Sequence, residues 1–161
     1  MISIRECDAA AIRWVADHIS EADELEILTV SGVDVHKGIA WGAEVSTDSF
    51  AIHPMLNGVA GDPVALFGVV DDSERSPGMA VVWMVTTPML PSTSRDIIKT
   101  ALQWFEAWKS RFPGGLHNLV DIRNERHVRW LKKMGAEFNG SGKIVRNQKF
   151  AYFTINAGAV N

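Results

Sequence analysis

Two apolar runs near the middle of the chain constrain its fold most. Residues 64–70 read VALFGVV and residues 79–87 read MAVVWMVTT, with only the polar stretch DDSERSPG between them. A strand on a half-exposed sheet alternates apolar and polar side chains, whereas a continuous apolar run needs cover on both faces. The pair therefore predicts two central strands joined as an antiparallel meander, with a further layer on each side of the sheet.

The segments that follow supply one of those layers. Pro88 and Pro91 end the second run, and Ser92, Thr93 or Ser94 can cap what comes next. From about Arg95 to Arg111, Ile97, Ile98, Ala101, Leu102, Trp104, Phe105 and Trp108 form a wide apolar stripe at helical spacing. Pro113-Gly114-Gly115 stops that helix, and residues 116–122, LHNLVDI, read as a strand. Strand, helix and strand from Val81 to Ile122 make a parallel crossover, expected to be right-handed. Asn124 then caps a helix running through Lys133, with Gly135 as its left-handed end. Glu137-Phe138 and residues 149–155 read as closing strands paired across a polar loop.

At the other end, Ile2 to Arg5 suggest a short strand, and Asp8 caps a helix carrying Ile12, Val15, Ala16 and Ile19. Ser20 and Asp23 open a second helical stretch, EADELEIL. Residues 29–49 give no single reading, because Gly32, Gly38 and Gly42 interrupt them, although Ile39, Trp41 and Ala43 fit a short helix. Residues 50–56 read as a strand. The predicted order is β-α-α-β-β-β-α-β-α-β-β, a mixed α/β class. With 161 residues, no repeat and no low-complexity linker, a single domain over residues 1–161 is expected.

Composition excludes several functions. A hydrophobic share of 47% supports a packed core, and a formal charge of −3 with dispersed basic residues argues against nucleic acid as a partner. The single cysteine, Cys7, cannot form an internal disulfide. The N-terminus lacks a signal-peptide core, and no run reaches the roughly 18 apolar residues of a membrane span. A soluble cytoplasmic protein is expected. His117 and His127 show no metal-ligand spacing, so no metal is expected either.

The segment Asn124-Glu-Arg-His-Val-Arg-Trp-Leu-Lys-Lys-Met-Gly135, arriving after these elements, resembles the helix after the fifth strand of the GNAT acyltransferases. Residues 40–155 further resemble a group of GNAT-like phage proteins related to an internal virion or assembly protein of short-tailed coliphages. The GNAT resemblance implies a sheet splayed between the fourth and fifth strands, here residues 79–87 and 116–122. It implies acetyl-CoA in that gap, with Val85, Thr86, Thr87 and Asn124 beside it. A turn before the next helix would hold the pyrophosphate, which places Ser92, Ser94 and Arg95 there. The family's arginine and glycines are replaced by Pro91, Ser92, Ser94 and Asp96. Leu131 stands where many members carry a tyrosine that protonates the leaving thiolate, and the one tyrosine, Tyr152, lies on the last strand. The candidate general bases are Asp121 and His53, with Glu44 a further candidate. Asp121, between Val120 and Ile122, could equally face solvent or cap the Asn124 turn.

Two functions follow from the resemblance. One is an acetyl-CoA-dependent N-acyltransferase on an unknown amine or protein. The alternative is an inactive GNAT fold that binds a phage or host protein, in the cytoplasm of an infected host or in a virion, as a monomer or homodimer. An open gap beside Val85 to Thr87 favours the first. A gap filled by Trp83, Met84 or Met89 favours the second.

Overall fold

The computed structural model describes residues 1–90, 94–138 and 142–156. Its elements run β1 (Ile2–Glu6), α1 (Ala9–Asp17), α2 (Glu21–Ser31), α3 (Val35–Val45), β2 (Asp48–Leu56), β3 (Val59–Ala60), β4 (Ala65–Asp71), β5 (Met79–Thr86), α4 (Ser94–Arg111), β6 (Gly115–Asp121), α5 (Glu125–Lys133), β7 (Lys143–Val145) and β8 (Gln148–Ile155). The strands form one mixed sheet in the order β1-β2-β4-β5-β6-β8-β7, with β3 hairpinned onto β2. Every pairing is antiparallel except β5–β6.

The two apolar runs are the central strands β4 and β5, paired from Ala65↔Thr86 to Asp71↔Ala80. One face carries Ile52, Phe67, Val82, Val120 and Phe153, and packs against Ile97 and Trp108 of α4 and Trp130 of α5. The other carries Ala51, Leu66 and Val85, and packs against Val15 of α1 and Ile39 of α3. Cover on both faces is why neither strand alternates. Trp108, 1% exposed, anchors the larger core among Phe67, Trp104 and Phe105.

Local chemistry sets the element ends. The Asp8 side chain accepts from Ala11 N at 2.8 Å and caps α1. Asp34 accepts from Lys37 N at 3.0 Å and caps α3. This helix contains Ile39, Trp41 and Ala43, the residues that fit a short helix within a stretch otherwise interrupted by glycines. Gly38 is not a breaker but a contact surface: a Cβ there would lie 2.8 Å from Ile27 Cγ2 of α2. Gly135 takes φ +84° after α5, the left-handed turn expected of it. The two-residue β3 was not foreseen, and it moves the expected fourth and fifth strands to β5 and β6.

Candidate active site

The parallel pairing of β5 and β6 covers Met79↔Gly115, Ala80↔Leu116 and Val81↔His117, and then stops. Both strands continue, β5 to Thr86 and β6 to Asp121, so the sheet is split from that point on. Strand alternation turns the N–H and C=O groups of Val82, Met84 and Thr86 on β5 toward this gap, along with those of Leu119 and Asp121 on β6.

Both ends of the gap are held by side chains. At its closed end, Asn118 Nδ2 donates to Val82 O at 2.8 Å, and Asn118 Oδ1 accepts from Leu119 N at 2.7 Å. At its open end, Thr86 N donates to Asp23 Oδ2 at 2.7 Å, and the Thr86 hydroxyl donates to the same oxygen at 2.6 Å. Thr86 O accepts from Ser20 N at 2.9 Å. Asp121 N donates to Glu26 Oε1 at 3.1 Å. Between these ends the N–H and C=O of Met84 and the C=O of Leu119 face the gap. A cavity of about 770 Å³ surrounds it, walled by Ile27, Trp41, Gly42, Trp83, Leu119 and Leu131, among others.

The split lets helices from opposite faces of the sheet meet. Asn124, the cap of α5, reaches through to α2: its Nδ2 donates to Asp23 Oδ1 at 2.6 Å and to Glu26 Oε2 at 2.9 Å. Its Oδ1 accepts from His127 N at 3.5 Å, the helix cap itself. His127 Nε2 lies 3.3 Å from Asp23 Oδ1.

Burial sets the charge states here. It pushes the Glu26 carboxyl up to about 7, with the Asp23 and Asp121 charges adding to the rise and bonds from Asn124 and Asp121 N opposing it. Burial lowers His127, so its ring is neutral beside Asp23 despite that carboxylate's pull. Burial acts to raise Asp121 too, but bonds from the Arg123 guanidinium and backbone outweigh it and hold that carboxyl below its usual range. Asp23, Glu26 and His127 bring one ligand-type atom each within 4.8 Å of one another, a donor set that a divalent cation could use. The Asn124 amide, a donor, stands between the two carboxylates and bonds both, while His127 Nε2 is buried beside them without a hydrogen-bond partner among the described residues.

The expected site residues fall as follows. Thr86 and Asn124 meet at Asp23. Val85 turns into the α1–α3 core, and Thr87 N donates back to Val64 O at 2.9 Å. Arg95 is exposed on the first turn of α4, and Ser94 opens that helix. Ser92 lies outside the described residues. The Asp96 carboxylate, which would oppose a pyrophosphate, sits 2.7 Å from the N-terminal ammonium. Asp121 is 1% exposed rather than solvent-facing, and its carboxylate pairs with Arg123 Nη2 at 2.6 Å. Its backbone O accepts from Asn124 N at 2.9 Å, so it also supports that turn. His53 is not brought to Asp121: β2 lies three strand spacings from β6, roughly 14 Å, and its Nδ1 sits 2.8 Å from Gly61 O. Glu44 lies near the end of α3.

None of the side chains expected to fill the gap does so. Met89 is exposed, Met84 packs on the α4 face, and Trp83 turns to the other face, where its Nε1 donates to Ser46 Oγ at 2.8 Å. Sequence reasoning missed Asp23 and Glu26 as site residues. Their spacing of three on α2 puts both on one helix face, and that was the available signal.

A mixed sheet split between two parallel neighbours, with helices on both faces, is the GNAT fold. No family model matches the chain, and no curated protein matches its sequence. Solved structures match its fold along nearly its whole length. The spermidine N-acetyltransferase of Vibrio cholerae, in complex with CoA and spermine, superposes with a TM-score of 0.70 at 11% identity, covering 99% of this chain and 98% of that one. A GNAT-family acetyltransferase from Bacillus anthracis gives 0.67 at 13%, covering 96% and 94%. An aminoglycoside acetyltransferase in complex with coenzyme A gives 0.66 at 15%, covering 99% and 96%.

Proposed function

We propose that the protein is an acyl-CoA-dependent N-acyltransferase whose reacting centre is the β5–β6 split. The observation that carries this reading is the gap itself, with the Met84 N–H and C=O and the Leu119 C=O turned into a 770 Å³ cavity. These are the groups an extended chain of amides, such as pantetheine, can pair with as a third strand would. The spermidine and aminoglycoside acetyltransferases that share the fold were solved with CoA, which supports acetyl-CoA as the donor.

When bound, acetyl-CoA would supply a thioester-activated acetyl group. The chain's own residues then bind the donor, accept a proton and hold the site in place. Met84 and Leu119 hold the donor in the slot, and orientation of this kind can contribute several kcal/mol of the barrier. Glu26, titrating near neutrality, takes the proton that the acceptor amine loses as its new C–N bond forms; the thioester C–S bond would break in the same transfer, and CoA would leave as its thiolate and take a proton from solvent, since Leu131 has none to give. Asn124 and Asp121 N fix the Glu26 carboxylate by holding both of its oxygens. Asp121, kept charged by Arg123, anchors the site rather than exchanging a proton. The donor's phosphates would lie toward the start of α4, where Arg95 is exposed.

The acceptor is an amine entering beside α2 and α3, where the walls are apolar and the floor carries Asp23 and Glu26. The resemblance to phage proteins makes an amine of a phage or host protein the acceptor to try first. Calorimetric titration with acetyl-CoA, and with CoA in parallel, tests the reading. Micromolar binding supports it. The Asp23–Asn124–Glu26 network, which takes up the outer amides of the gap, favours the binding-only alternative if millimolar ligand produces no heat.

A further inference from the structure

We propose that Asn118 is the wedge that opens the sheet and sets where the cofactor slot begins, an inference that rests on the acyl-CoA reading above. In the register fixed by Val81↔His117, the next rung of the ladder would run directly from Leu119 N to Val82 O. That rung is not made. Both of its groups are bonded instead to one side chain: Leu119 N donates to Asn118 Oδ1 at 2.7 Å, and Val82 O accepts from Asn118 Nδ2 at 2.8 Å. The carboxamide is spliced into the ladder in series.

The geometry follows from the dimensions of an amide. A direct rung holds N and O about 2.9 Å apart, while two such bonds in series through an O–C–N unit hold them roughly 6 Å apart. That separation is too wide for the next pair to bond, so the strands diverge beyond it. No buried backbone group is left unsatisfied at the branch point, which is what makes it tolerable in a half-buried sheet. The orientation of the amide is forced, because one neighbour is an N–H and the other a carbonyl. A side-chain amide at the first broken rung also presents the same donor–acceptor pair that the amides of pantetheine would present at the rungs beyond. Asn118 is thus a positioning residue. It holds Met84 N–H and C=O open for the donor without touching the reacting atoms.

Two variants test this by two independent readouts. Asn118→Val removes the amide and leaves Leu119 N free to bond Val82 O directly. Asn118→Asp keeps the acceptor for Leu119 N but turns a second acceptor toward Val82 O. In Asn118→Val, hydrogen exchange at the Leu119 amide and at Met84 N–H slows at least tenfold, as the gap zips shut, and acetyl-CoA binds at least tenfold more weakly. In Asn118→Asp, acetyl-CoA also binds at least tenfold more weakly, with far-UV circular dichroism unchanged in both. Unaltered acetyl-CoA affinity in either folded variant, or unaltered exchange in Asn118→Val, overturns the proposal. If the valine variant does not fold, the aspartate variant decides by titration alone. Absence of acetyl-CoA binding to the unaltered protein is a different failure. It removes the acyltransferase reading and with it the slot, whereas exchange at Leu119 and Met84 still reports whether Asn118 splits the sheet.

Discussion

Asp23 Oδ2 accepts from both the backbone N–H and the hydroxyl of Thr86, 63 residues further along the chain, at 2.7 and 2.6 Å. A carboxylate on α2 thereby replaces the missing strand partner at the end of β5. Bonds donated to a carboxylate are charge-assisted, and its second oxygen is held by Asn124.

Asp23→Ala therefore leaves the Thr86 N–H without its partner in a buried setting, and it reduces the Thr86 hydroxyl to Ser20 Oγ at 3.2 Å and the Asn124 amide to Glu26 Oε2 at 2.9 Å. Leaving buried donors unsatisfied costs on the order of 1–3 kcal/mol each, with partial relief from water, so a loss of about 3 kcal/mol in unfolding free energy is expected. Asp23→Asn, which keeps one acceptor, should lose less than half of that. Urea midpoints for the two variants at neutral pH check the order. Equal midpoints for Ala and the parent protein would show that the carboxylate does not hold β5.

Glu26 gives a pH dependence with a definite sign. Its carboxyl is raised in the folded protein from 4.5 to about 7, so the native state holds its proton more tightly than the unfolded chain does. The associated stability is fully present below about pH 4.5 and is lost as pH rises through about 7. The shift corresponds to about 3 kcal/mol between those limits, as an upper bound. Glu26→Gln should remove this slope, so the variant should gain stability relative to the parent as pH rises from 4.5 to 8. In the acyl-transfer assay the same variant should lower kcat by roughly 10²–10⁴ and flatten the limb near pH 7. A parent and variant with parallel stability–pH curves would place the Glu26 carboxyl at its ordinary value.

The central strands and the helices α4 and α5 were legible in the sequence, because their signals are local: continuous apolar runs, a seven-residue stripe on α4, an Asn cap and a terminal Gly on α5; β3 and β7, short and without such runs, were not. Residues 29–49 were not. Gly38 acts there through its packing against Ile27, a tertiary contact that no window of sequence displays. The site was legible only in part. Asn124 announced itself as a cap, whereas its second role depends on Asp23, 101 residues earlier. Asp23 and Glu26 sit in an acidic helix start, where carboxylates need no explanation beyond the helix dipole. Asn118 looked like one polar position in an ordinary strand.

Trp108 tests how far the larger core depends on one side chain. It is 1% exposed, contacts the rings of Phe67, Trp104 and Phe105, and donates through Nε1 to Asp48 Oδ2 at 3.2 Å. Trp108→Ala should cost about 3–5 kcal/mol through lost contacts and the cavity left behind. Trp108→Phe, which fills most of the space but drops the bond to Asp48, should cost roughly half as much. Thermal unfolding of both variants measures this. A Trp108→Ala loss under 1 kcal/mol would mean that the α4 face repacks freely.

Asn124 separates two physical accounts by the ranking of two substitutions. If Asn124 only caps α5, Asp is nearly as good as Asn, and Ala is worse by about 1 kcal/mol. If its amide also bridges two buried carboxylates, Asn124→Asp replaces that donor with a third carboxylate between Asp23 and Glu26. Asn124→Asp should then be the less stable of the two at pH 8, by about 1–3 kcal/mol relative to Asn124→Ala. Its added carboxyl is raised by the same neighbours, so its deficit should shrink as pH falls toward 4.5 and the cluster takes up protons. Unfolding curves for both variants at pH 8 and pH 4.5 decide the matter. An aspartate variant more stable than the alanine variant at pH 8 would reduce Asn124 to a cap and remove the link between α2 and α5 through the split sheet.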